Sequence, residues 1–90
     1  MKLFQKYVAM DITNDVLKEI GKNIIEHRKK NKQTQEDISF FTGIEVSEIS
    51  RYEKGKINLT ISTLLKFSQA LNIHPKELFD FDIHKHKIDM

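Results

Sequence analysis

Cysteine is absent from the 90 residues. Its absence excludes a disulfide framework and any thiolate-ligated metal site, and it suits a reducing cytoplasm. Long hydrophobic runs are absent too. Nothing approaches the roughly 18 apolar residues of a membrane span, and the opening MKLFQKYVAM lacks a signal peptide's apolar centre. Only three glycines and one proline interrupt the chain. Apolar residues recur about every 3.6 positions, which points to an all-α fold. No Gly-rich phosphate loop, nucleophile motif or recognisable carboxylate pair is present. The chain is therefore expected not to be an enzyme and to need no cofactor or small-molecule ligand.

A strong excess of one charge is lacking as well, since the net charge is only +2. The distribution says more than the sum. KNIIEHRKKNK, Lys22 to Lys32, holds five basic residues against one acid, and Lys54, Lys56 and Lys66 make a second, sparse set. Solvated helix ends and phosphate contacts both remain open for these lysines. Four histidines are present: His27, His74, His84 and His86. The last two form an H-x-H motif, but beyond Asp82 and Asp89 no third zinc donor is evident in the tail. A basic tail is the preferred reading over a metal site.

Ninety residues suit one small domain with short arms. The expected division is an N-terminal arm over residues 1–14, a domain over 15–80 and a tail over 81–90. In the arm, Phe4, Tyr7 and Val8 have helical spacing, whereas Leu3, Gln5, Tyr7 and Ala9 alternate as a strand would. Asn14 or Thr13 can cap a first helix from Asp15, with Val16, Leu17, Ile20, Ile24 and Ile25 on its apolar face. Thr34 opens a second helix, its TQED start approximating a capping box, with Ile38 and Phe41 inward. Gly43 ends it in a left-handed cap. A third helix is expected from about Val46 to Gly55. Thr60 caps a fourth, with Ile61, Leu64, Leu65, Ser68 and Leu71 spaced for one buried face. HPKELF fits a short fifth helix with Pro75 in its first turn. The tail DFDIHKHKIDM alternates Phe79, Phe81 and Ile83 just ahead of and into it, as an extended arm would. The eleven residues after Phe79 are too few for a ligand domain.

Two short helices around a glycine turn, inside five, make the helix-turn-helix plan. From IGKNIIEHRKK through TQEDISFFTGIEVSEISRYEKGK to TISTLLKFSQALNIHPKELF, the chain resembles the Cro/C1-type (XRE) helix-turn-helix DNA-binding family. That resemblance implies a compact, five-helix, lambda-repressor-like domain whose third helix enters the major groove, usually as a dimer on a two-fold-related site. It implies a phosphate contact for Gln35 and a tight helix approach at Ser39. Core positions follow for Ile44 and Ile49, and DNA-facing positions for Glu45, Val46, Ser47, Ser50 and Arg51. Arg28 and Glu53 fall on a pair that often ties the first helix to the third. Two residues depart from the pattern. Leu59 stands where many members have proline, and Phe40 where the family is polar, as a partner contact or a poorly buried core residue.

The glutamates in GIEVSEISRYEKGK seem ill placed beside DNA, and helical geometry resolves most of the conflict. At about 100° per residue, with Ile49 at zero, Tyr52 lies about 60° to one side and Glu53 about 40° to the other. That face points inward. The opposite face carries Ser47, Ser50, Arg51 and Lys54, with no acid. An inward Glu53 needs a cation. Arg28, four residues past Ile24 on the first helix's apolar stripe, is the natural candidate, with snorkelling of both to solvent as the alternative. Glu48 sits on the flank, solvated or answering a lysine. Glu45 caps the third helix or accepts a hydrogen bond from cytosine N4. Arg51 is the candidate for guanine readout, with a phosphate contact as its alternative. Ser47 and Ser50 suit bases or phosphate, and Val46 a thymine methyl or the core. Lys54, Lys56 and Asn58 would follow the DNA backbone, and the start of the second helix with Gln35 would hold another phosphate.

The function expected is a sequence-specific, cytoplasmic, double-stranded-DNA-binding transcriptional regulator, repressor or controller-like, acting as a homodimer. An antitoxin-like or adaptor module that binds protein through the same fold is the alternative.

Overall fold

The computed structural model describes residues 11–82, and every regular element among them is helical. The first is α1, Thr13–Lys30. It begins two residues earlier than expected. Ile12 occupies its N-cap and Asp11 Oδ1 accepts from the Thr13 N–H at 2.9 Å, so neither Thr13 nor Asn14 caps it. Asp15 near the start and Arg28, Lys29 and Lys30 near the end complement the helix dipole. Leu17, Ile20, Gly21 and Ile24 form its buried face.

Gln35–Thr42 forms α2. Its N-terminus is a complete capping box. Thr34 Oγ1 accepts from the Asp37 N–H at 3.0 Å, and Asp37 Oδ2 accepts from the Thr34 N–H at 2.8 Å. Gly43 closes it with φ 76, a left-handed conformation that costs a glycine little. Thr42 Oγ1 then donates to the Ile38 carbonyl and accepts from the Ile44 N–H, bridging helix and turn. Next come α3, Val46–Glu53, and α4, Ile61–Leu71. Thr60 caps α4 through the Thr63 N–H at 3.2 Å.

The expected fifth helix is a 3-10 helix, Pro75–Phe79, which leaves four α-helices among the described residues. Five residues opened by a proline offer too few i→i+4 bonds for an α-helix, and the tighter i→i+3 turn suits so short a piece. His74 caps it, accepting from the Lys76 N–H at Nδ1, and Asn23 of α1 donates to the Leu78 carbonyl at its far end.

Ile20, Ile24, Ile38, Ile49, Leu64, Phe67, Leu71 and Leu78 meet in one core. The helix-turn-helix pair is thereby seated against α1 and α4, and Tyr52 of α3 packs edge-on against Phe67 with centroids 5.4 Å apart. Two expected inward sets change. Phe67 and Ala70 replace Ile61 and Leu65 on the buried side of α4, and Ile61 is 70% exposed. Phe41 is also largely exposed. α2 packs against α3 and α4; of its eight residues only Ile38 is buried there, and Phe41, about 60° away from it, reaches only the α4 flank beside Lys66 and Gln69. The arm residues Leu3 to Ala9 and the His84/His86 motif lie outside the described residues.

Candidate nucleic-acid interface

The inward side of α3 decides how firmly the outward side is held. Glu53 is 6% exposed. Arg28 of α1 meets it with a fork, Nε donating to Oε2 at 2.7 Å and Nη2 to Oε1 at 3.1 Å. Two parallel charge-assisted bonds are the strong form of this contact. Nη1 of the same guanidinium donates to the Gln33 carbonyl at 3.1 Å, so one side chain joins α1, α3 and the loop before α2.

Gln35, the first residue of α2, completes the cluster. Its Nε2 donates to Glu53 Oε1 at 2.9 Å. Sequence reasoning placed Gln35 near phosphate and did not foresee this bond, whose partners are 18 positions apart. No buried polar side-chain atom among the described residues lacks a partner, so the cluster carries no desolvation penalty left unanswered.

Gly21 was also missed. A Cβ built there would stand 2.3 Å from the Glu53 carbonyl oxygen, so α1 and the end of α3 touch backbone to backbone. A signal was available. Glycine inside a helix costs about 1 kcal/mol against alanine and therefore asks for a packing reason. Two further residues went unassigned. Asn31 Nδ2 donates to the Leu71 carbonyl and Gln33 Nε2 to the Ala70 carbonyl, both at 2.9 Å, tying the α1–α2 loop to the end of α4.

The outward side of α3 is the opposite in every respect. Ser47, Arg51 and Lys54 are exposed, Val46 and Ser50 half-buried, and Lys56 and Asn58 follow in exposed loop positions. Among the described residues Arg51, Lys54 and Lys56 form no ion pair and Glu48 answers no lysine. Glu45 occupies the N-cap of α3, yet its side chain makes no capping bond. Only its carbonyl is engaged, accepting from the Glu48 and Ile49 N–H groups. The carboxylate stands exposed at the helix start.

Arg51, Lys54 and Lys56 thus form an exposed cationic run at the end of α3 and in the loop after it, a charge suited to the groove and backbone of a duplex. No cluster of three His, Asp or Glu with metal-site geometry occurs among the described residues, and no helix there is long and apolar enough to cross a membrane. On α2, Phe40 is 86% exposed and packs edge-on against Phe41. Phe40 is therefore no core residue.

A helix-turn-helix family model matches residues 24–78. The chain is 31% identical over 71 residues to the control protein C.BamHI of Bacillus amyloliquefaciens, spanning 78% of this chain and 88% of that protein. It is 33% identical over 64 residues to the HTH-type transcriptional regulator y4dJ of Sinorhizobium fredii, spanning 71% and 83%. The fold is similar to the crystal structure of the restriction-modification controller protein C.AhdI from Aeromonas hydrophila. That similarity has a TM-score of 0.68 at 33% identity, covering 70% of this chain and 96% of that one.

Proposed function

Because the chain belongs to the Cro/C1-type (XRE) helix-turn-helix family and is a DNA-binding transcriptional regulator, we propose that α3 reads the major groove of a two-fold-related site as half of a homodimer. The observation that carries this is the contrast across α3, with Glu53 buried inward on Arg28 and Gln35, and Arg51 outward with no ion pair among the described residues. Arg51 bonds guanine O6 and N7, the bidentate contact that discriminates best in the major groove. Ser47 and Ser50 take bases or phosphate beside it, and Val46 touches a thymine methyl.

Glu45 accepts from cytosine N4. Its carboxylate has no capping bond to give up, which supports a role toward DNA over a role toward its own helix. Lys54, Lys56, Asn58 and Gln35 hold phosphates, positioning α3 without specifying sequence. Paired copies would place two recognition helices about 34–36 Å apart. Ile61, Leu65 and Phe79 expose apolar surface on one side of α4 and the 3-10 helix, which supports pairing there. The protein works in the cytoplasm as a repressor or as a controller of a restriction-modification system, the role of its structural neighbour C.AhdI.

Enrichment of bound sites from random duplex DNA tests the whole reading. It should return an inverted repeat of the stated spacing, with a guanine assigned to Arg51 in each half. Binding without sequence preference would refute it. The exposed Phe40 favours a second reading, an antitoxin-like or adaptor module that binds protein. Salt separates the two. Specific DNA binding loses affinity steeply with salt, because each neutralised phosphate gives up its counterions, and an apolar protein contact does not.

A further inference from the structure

The buried ion pair and the proposed phosphate contact share one atom. Glu53 Oε1 accepts from Arg28 Nη2 and from Gln35 Nε2, at 3.1 and 2.9 Å. We propose that Glu53 is a positioning residue for DNA binding, which orients the Gln35 amide so that its second N–H is presented to a phosphate. This rests on the reading of Gln35 as a phosphate contact.

A carboxylate only accepts hydrogen bonds, so Gln35 must turn its NH2 toward Glu53 and its oxygen away. Turning the amide over would set two oxygens against each other. The NH2 has two hydrogens, and Glu53 uses one. The other diverges from it in the amide plane, and Gln35 is only half-buried, so this hydrogen remains open to an acceptor from outside. Charge also permits the arrangement. A bare carboxylate one residue behind the contact would repel a phosphate, but Arg28 neutralises it through two bonds. The fork fixes Glu53, and Glu53 fixes Gln35. The rotamer freedom that Gln35 would lose on binding is therefore already lost in the free protein.

The test is a double-mutant cycle read as affinity for a mixed-sequence duplex, since a phosphate contact does not depend on sequence. Gln35→Ala and Glu53→Asp are made singly and together in the full chain. Glu53→Asp keeps the charge on Arg28 and withdraws the carboxylate by one methylene, so that it no longer spans both partners. All affinities are taken well below each variant's melting temperature. Each single change should weaken binding roughly three- to tenfold, and Glu53→Asp should cost nothing further once Gln35 is alanine. Equal costs in both backgrounds would mean that Glu53 acts through general stability, and would overturn the inference alone. No loss from Gln35→Ala would overturn the phosphate reading and the inference with it. If Glu53→Asp fails to fold, Arg28→Lys loosens the same fork and enters the cycle in its place.

Discussion

The two faces of α3 differ in kind. Inward, Ile49 is fully buried and Glu53 accepts three bonds from two helices. Outward, Arg51 and Lys54 stand exposed with no ion pair among the described residues. One eight-residue helix with its C-cap Lys54 carries both faces, so the difference comes from helical geometry and not from composition. It teaches that acids in a DNA-reading helix are tolerable when the fold turns them away and neutralises them. It also divides consequences. Changes inward should act on stability first and reach DNA only through Gln35, and changes outward should act on recognition alone.

The largest expected effect breaks the inward face. Glu53→Ala strands the Arg28 guanidinium in a site where it is itself mostly buried, and loss of one member of such a pair costs about 3–5 kcal/mol. A thermal melt should show the domain unfolded or strongly destabilised, and an unchanged melting temperature would refute the role given to the pair. Next is Gly21→Ala, which pushes a methyl against the Glu53 carbonyl. Backbone cannot yield as a flexible side chain does, so the helix propensity gained is outweighed and the net cost is about 1–3 kcal/mol. A more stable variant in urea titration would show that α1 and α3 have room to part.

Arg51→Ala sharpens the comparison from the outward side. Its stability should stay within about 0.5 kcal/mol of the wild type, while discrimination at one base pair of each half-site falls by about 1–3 kcal/mol. Repeating the site enrichment with the variant checks this, and an unaltered preference would remove Arg51 from direct readout. The smallest effect lies away from both faces. Bonds from the Thr13 side chain and backbone hold the exposed Asp11 carboxyl below its ordinary pKa. Its contribution to α1 is complete above the ordinary aspartate value and is lost as pH falls through the lowered one. Amide exchange at Thr13 should accelerate over that acid window, and Asp11→Asn should flatten the response.

Legibility in the sequence followed the range of the interaction. The capping box at Thr34 and Asp37 and the left-handed Gly43 were readable because each depends on residues no more than four apart. The inward turn of Glu53 was readable from helix periodicity alone. The α4 face was not. Phe67 lies about 120° from Ile61 and about 160° from Leu65 around α4, so the helix carries apolar residues on both sides, and only the position of the neighbouring helices decides that Phe67 is swallowed and Ile61 left out. The 3-10 form of Pro75–Phe79 escaped as well, since α and 3-10 turns share the same apolar spacing over five residues.

Local sequence encodes the caps of α2 and α4 and which side of α3 can be wet, because backbone caps and a 3.6-residue period act within a few positions. Only the tertiary structure decided that Gly21 meets the end of α3 and that Gln35 shares Glu53 with Arg28. Those contacts join residues 18, 25 and 32 positions apart. No local pattern encodes them, because they exist only once separately formed helices have docked on a common core.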